Sequence, residues 1–265
     1  MALNKVPSSM LADPNTGGGG IQGLIFGNDP TSPNTHFVMS SGSIPTADRD
    51  YVLEFPLGLR KNLTAAFSAG NNGGALDTGA IAASTWYHVF AIGNTTTEAT
   101  DLLASVSFSN PVLPAGFTKF ERVFSLFSDG SSNIKQFNHK MTDKEDFVRW
   151  KQPVVSLSSG NDGQQIGRNR SVLVPPGAKF KAILLHIVAD AATSSFAAGL
   201  MDPDLGTAAL YNAVTTYHNA NLPNWYEVEA NSNVNSQVVS FSNVATLENS
   251  VISIVSKGYH EVRGS

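Results

Sequence analysis

Apolar side chains recur along this chain mostly at every second position, the spacing that sends successive residues to opposite faces of a pleated strand. Tyr51, Leu53 and Phe55 alternate with Val52, Glu54 and Pro56, and Trp86, His88, Phe90 and Ile92 alternate with Tyr87, Val89 and Ala91. Residues 120–127 are aromatic and β-branched, and Ser128-Asp129-Gly130-Ser131 supplies positive-φ turn chemistry before apolar and polar positions return over 134–139. This is the clearest hairpin in the chain. Residues 180–188 follow a turn at Pro175-Pro176-Gly177 and become apolar on both faces, as a strand in the middle of a sandwich does. Residues 237–244 and 251–255 add two more strands, the second closed by Gly258.

Helix signals are few. Residues 141–150 carry Thr142 as an N-cap and Glu145 three positions later, which fits a capping box of at most two turns or equally a charged connection, and residues 208–217 form a weaker candidate in a stretch that otherwise reads as loop. Many short strands separated by Gly, Pro and Asn turns, without alternating helices, predict an all-β fold: an antiparallel β-sandwich, jelly-roll-like. Residues 1–20, broken by Pro7, Pro14 and Gly17 to Gly20, read as an extended N-terminal arm whose only apolar anchors are Leu3, Val6, Met10 and Leu11. The arm is either a docking strap or a frayed terminus. The division expected is this arm and one sandwich domain over 21–265, a length that a single all-β domain often fills.

Composition narrows the function classes. The 265 residues are 42% hydrophobic and only 14% charged, so the core is ample and the surface is built largely from Ser, Thr, Asn and Gly. With 17 Lys plus Arg against 21 Asp plus Glu, a net of −4, no broad cationic field exists for nucleic acid or an anionic bilayer. The absence of Cys excludes a disulfide scaffold, thiolate zinc sites and Cys nucleophiles. No run of about 18 apolar residues occurs, and residues 1–7 lack a signal-peptide apolar core, so neither membrane insertion nor secretion is expected.

Candidate chemistry is sparse. Gly18-Gly19-Gly20-Ile21-Gln22-Gly23 matches G-x-G-x-x-G but lacks the strand, helix and acidic residue that a dinucleotide site needs, and reads as a flexible linker. The six His residues, 36, 88, 139, 186, 218 and 260, form no ligand pair at metal-binding spacing, and His88 and His186 sit in strand patterns as packed core histidines. Asp202-Pro203-Asp204 and Asp143-Lys144-Glu145-Asp146 bring carboxylates together, the requirement of a hard cation or an acid/base pair, but loop carboxylates are usually only solvated. No Gly-x-Ser-x-Gly elbow occurs. Neither a cofactor nor an enzymatic centre is expected. Asn62-Leu63-Thr64, Asn94-Thr95-Thr96 and Asn169-Arg170-Ser171 are formal glycosylation acceptors. Trp86 heads a strand face with Phe90 and belongs to the core, whereas Trp225-Tyr226 after Asn221-Leu222-Pro223-Asn224 is either an exposed stacking platform or a further part of the core.

The stretch Gly73-Gly74-Ala75-Leu76-Asp77-Thr78-Gly79, followed by Thr85-Trp86-Tyr87-His88-Val89-Phe90, resembles a signature of bacteriophage and prophage tail-fibre and other virion structural proteins. In that family Gly-Leu-Asp-Thr-Gly precedes Thr-Trp-Tyr and a hydrophobic strand. Residues 101–107 with 111–118, the turn at 128–134 and the terminal Gly258-Tyr259-His260-Glu261-Val262-Arg263-Gly264 resemble the family in the same order. The likeness covers 50–137 closely and 170–265 loosely. Two departures stand out: Ala75 interrupts the Gly-Leu pair, and Phe120-Glu121-Arg122-Val123-Phe124 replaces the usual basic pair. In physical terms Asp77-Thr78-Gly79 reads as a chain reversal in which Asp77 bonds backbone amides, and the strand from Trp86 then enters the core.

The resemblance implies a virion structural protein: a compact appendage of the particle, as capsid decoration, head fibre or tail-fibre component, assembled in the host bacterial cytoplasm. Other virion proteins are the implied partners, met through Leu3, Val6, Met10 and Leu11 of the arm, and a homotrimer is expected. The alternative is a receptor-binding module that recognises host-surface glycan through Trp225 and Tyr226.

Overall fold

The computed structural model describes residues 21–141, 146–158, 165–171, 173–175, 183–188, 195–201, 211–217, 224–228, 238–243 and 251–260. The arm over 1–20, with Leu3, Val6, Met10 and Leu11, lies outside the described residues. Every helix or strand among the described residues is a strand. The fold is all-β and sandwich-like, as the alternating runs imply. The sequence reading takes 21–265 as one domain; the contacts cluster in two compact units, 1–144 with 262–265 and 145–261.

The first unit contains β1 (Gln22–Gly23), β2 (Phe26–Asn28), β3 (His36–Met39), β4 (Gly42–Pro45), β5 (Val52–Phe55), β6 (Leu59–Ala66), β7 (Gly74–Leu76), β8 (Trp86–Gly93), β9 (Thr100–Ser105), β10 (Lys119–Phe127) and β11 (Phe137–Met141). Its large sheet runs β10-β8-β9-β7-β6-β3-β2-β11, beside a small sheet β1-β4-β5. Pairing is antiparallel except at β7, which is parallel to both β6 and β9. Five strands separate β10 from β2 in the sheet order, yet Phe26 of β2 stacks on Phe124 of β10 with ring centroids 4.4 Å apart. The sheet therefore curls until its two ends face one another, closing the core with Phe37 and Phe137. All eight residues of β8 are buried. Phe90 and Ile92, with Leu103 of β9, are covered by Phe67, Leu113, Phe117 and Phe120.

The hairpin expected at 128–131 closes differently. The Lys135 amide donates to the Phe127 carbonyl at 2.8 Å and Ser128 bridges Ile134, but β11 then pairs with β2, not with β10. The curl explains this: Phe137 belongs to the aromatic cluster around Phe124, and its amide donates to Asn28 Oδ1 at 2.9 Å. The positive φ of the turn falls on Ser132, at 61°, while the Asp129 carboxylate accepts the Ser131 and Asn133 amides.

The second unit contains β12 (Asp146–Ser158), β13 (Gln165–Ser171), β14 (Ile183–Val188), β15 (Ser195–Met201), β16 (Tyr211–Tyr217), β17 (Asn224–Val228), β18 (Val238–Asn243) and β19 (Val251–His260). They pair antiparallel in two groups of four, β12-β19-β14-β17 and β13-β18-β15-β16. Counted from the start of the unit, those orders are first-eighth-third-sixth and second-seventh-fourth-fifth, the double Greek key of a jelly roll. The interior position of β14, between β19 and β17, is the one its two-sided apolar run predicts.

The described parts of both helix candidates are strand. Residues 146–150 open β12, where buried Val148 and Trp150 flank exposed Arg149, and this period of two outweighs the capping-box pattern; Thr142 and Glu145 are outside the described residues. Residues 211–217 form β16. Gly258 does not end its strand. A Cβ there would collide with the Val148 carbonyl oxygen across the ladder, so glycine is what allows β19 to run on to His260.

Candidate functional site

The residues that carry the phage resemblance build scaffold. Gly74 lies so close to the Ala66 carbonyl oxygen that no Cβ fits, which lets β7 wedge between β6 and β9. The Asp77 amide donates to the Ala104 carbonyl at 2.9 Å, and its Oδ2 accepts the Val112 amide at 3.0 Å, the backbone-bonding role that the turn reading gives it. Gly79 takes φ +70°, a left-handed conformation that favours glycine. The return to β8 is pinned where the Ala82 amide donates to the Tyr87 hydroxyl oxygen at 2.7 Å and the Thr85 amide donates to Ser128 Oγ at 3.0 Å.

The buried polar side chains of this scaffold include a lysine–aspartate pair and a histidine. Lys61, 0% exposed, pairs through Nζ with Asp101 Oδ1 at 2.9 Å and donates to the Ser68 carbonyl at 2.8 Å. Asp101 Oδ2 in turn accepts the Gly70 amide at 2.7 Å, so the pair staples the 68–74 loop to β6 and β9. Burial pushes the Lys61 ammonium below its usual range, with Asp101 opposing. His88 is buried against Ser125 Oγ at 3.1 Å, the packed core role expected of it. Burial, then the nearby Arg122 charge, lower its pKa to about 4, so it is neutral at pH 7.

A cleft of about 300 Å³ opens where β10 ends the sheet order, lined by Phe90, Phe108, Phe120, Glu121 and Arg122 and by the turn at 46–48. Arg122 pairs with Phe90 across the ladder, and its guanidinium lies 4.4 Å from the centre of the Phe108 ring. The bulge that follows, between Arg122 and Phe124, places Val123 as an extra residue. Glu121 is only 4% exposed, and its Oε2 is buried without a hydrogen-bond partner. Burial pushes the Glu121 carboxyl up and the Arg122 charge pulls it back. At the rim Lys119 is held by Asp48 at 2.7 Å and by Asp50, contacts that raise the Lys119 ammonium and lower the Asp48 carboxyl. Glu121 is in register with Ala91 and Arg122 with Phe90, so their side chains leave β10 on opposite faces, and Glu121 Oε2 is itself buried.

No residue of this cleft is among the sequence candidates. Its signal was the charged pair Glu121-Arg122 inside an otherwise aromatic strand, where burial is costly and calls for a compensating arrangement. Trp225 and Tyr226 are strand residues of β17, in register with His186 and Leu185 of β14, not loop residues. Asp202 and Asp204 lie outside the described residues.

No protein-family model and no curated protein matches the chain. One solved structure, described as concerning carbohydrate-binding modules of the β-sandwich superfamily, aligns over 92% of this chain and 98% of its own at 11% identity and a TM-score of 0.22. A likeness that slight carries no argument about fold or function.

Proposed function

We propose that this chain is a structural component of a bacteriophage particle, a compact appendage of capsid or tail. The observation that carries the proposal is the strand order of the second unit, a jelly roll, a fold that recurs in viral capsid proteins. Jelly rolls also serve lectins and cupins, so the fold alone does not choose among these roles. The resemblance of residues 73–90 to phage virion proteins supports the virion reading, and in the first unit these residues include the buried strands β7 and β8, as suits a building block. Low charge is suited to side-by-side packing of protomers, where buried unpaired charges are costly, and we extend the proposal to a homotrimer held to its neighbours through residues 1–20.

The test is gold-labelled antibody raised against the purified chain, applied to intact particles of the phage or prophage that encodes it. Labelling at a fixed position on the particle is the expected result, and unlabelled particles beside a labelled soluble fraction would refute the proposal. Light scattering on the purified chain decides the trimer: a stable monomer at micromolar concentration would overturn that part alone.

A further inference from the structure

Charge is spread unevenly over the first unit. At the end where β8 finishes and β10 begins, the turn at 46–51 and the loop at 94–99 expose Asp48, Arg49, Asp50 and Glu98. At the opposite end, residues 78–85, 105–114 and 130–134 contain no Asp, Glu, Lys, Arg or His. Hydrogen bonds gather these three segments together. The Asp77 amide donates to the Ala104 carbonyl and Asp77 Oδ2 accepts the Val112 amide, while the Ser84 amide donates to the Asp129 carbonyl at 3.0 Å and the Thr85 amide to Ser128 Oγ. Asp77 and Asp129, which border this end, turn their carboxylates to backbone amides, and Lys135 beside Asp129 is half-buried.

Val106 and Val112 are 60% and 59% exposed at this neutral end. Both sit close to Asp77, Val112 through its own amide and Val106 two positions after Ala104. Beside them Gly79, Ala80, Ala82 and Ala83 are exposed, and such small residues have almost no side-chain entropy to lose on burial. The surface is also held in shape in advance: Gly79 and Ser84 take φ of 70° and 52°, and the Ala82 amide is tied to the Tyr87 hydroxyl. We propose that this end of the first unit is where copies of the chain meet, three of them around an axis, with Val106 and Val112 at the centre of the contact. Charge selects the partner. Symmetry sets the same residues of neighbouring copies against one another near the axis, so an end that exposes Asp48, Asp50 and Glu98 repels itself, whereas the neutral end brings no like charges together. That contact, which rests on the homotrimer proposed above, gives the exposed loop at 78–85 a role beyond the chain reversal it makes.

Sedimentation velocity on the full chain tests this by comparing the wild type with the double variant Val106→Asp and Val112→Asp, which places carboxylates on the face, and with Thr97→Asp, an exposed position at the charged end. The wild type and Thr97→Asp are expected to sediment as trimers, and the double variant to raise the trimer's dissociation concentration at least about a hundredfold with its circular dichroism unchanged. Because the chain has no Cys, Val112→Cys and Thr97→Cys each carry a single thiol, and neither substitution charges the surface. A short bis-maleimide is expected to join copies through residue 112 at least about tenfold faster than through residue 97. A double variant that stays trimeric, dissociation of Thr97→Asp, or linkage through residue 112 no faster than through residue 97 overturns this face and leaves the homotrimer standing. A monomeric wild type overturns both.

Discussion

Replacing Asp101 by Asn leaves a fully buried ammonium without its counter-charge. Lys61 Nζ and Asp101 Oδ1 are 2.9 Å apart, which at an effective dielectric of about 20 is an attraction of about 6 kcal/mol. Asn keeps an oxygen for the Gly70 amide, and the Ser68 and Gly70 carbonyls still accept from Lys61, so what disappears is chiefly the charge. Breaking a buried pair from one side costs about 3–5 kcal/mol, about a fifth or more of the stability of an ordinary domain. Urea unfolding at pH 7, followed by circular dichroism, measures it. Lys61→Met with Asp101→Asn buries no charge and is expected to recover at least half of the loss, a coupling that the double-mutant cycle isolates. Because burial already depresses the Lys61 pKa below 10.5, folding favours the neutral amine, and the Asp101→Asn penalty shrinks as pH rises toward 10.5. A loss below about 1 kcal/mol, or a double variant no better than the single, would refute the reasoning.

His88, with a folded pKa of about 4 against 6.5 unfolded, resists a proton that the unfolded chain accepts; stability therefore falls by about 3 kcal/mol as pH drops from 6.5 to 4, and His88→Gln should lose that component of the pH profile. The Arg60 guanidinium holds the Asp29 carboxyl at about 2, so its stabilisation is present above 3.8 and is lost as pH falls through about 2; Arg60→Ala should move the Asp29 titration upward in an NMR pH series, and an unmoved midpoint contradicts the pairing. Gly74→Ala puts a methyl into the Ala66 carbonyl and is expected to cost about 2 kcal/mol or more in thermal unfolding, whereas Gly130→Ala, with open space around it, should stay within about 0.5 kcal/mol.

The sequence makes the strands legible and leaves their partners hidden. Alternation finds β5 and β8, and aromatic or apolar content finds β10, β14 and β18; in β5, β8 and β10 one or both faces are buried, a local consequence of side-chain order. Pairing is non-local. Nothing near residues 128–139 reveals that Phe137 joins Phe26 and Phe124 across a curled sheet, so a turn that does close there was taken for a full hairpin. The helix signal beginning at Thr142 does not extend over 146–150, where burial of Val148 and Trp150 favours a strand. The cleft was the least legible: Phe108 and Glu121 are thirteen positions apart, the turn at 46–48 is farther still, and only Glu121-Arg122 among aromatic residues marks it. Asp77, by contrast, bonds a backbone amide as its turn chemistry foretold.

The most direct measurement is the copy number of this chain in density-gradient-purified particles, by quantitative mass spectrometry against the major capsid protein. A building block of the virion is present at a fixed integer ratio to that protein, unchanged by repeated banding. A ratio that falls toward zero with each round of purification, while the capsid protein stays constant, would contradict it.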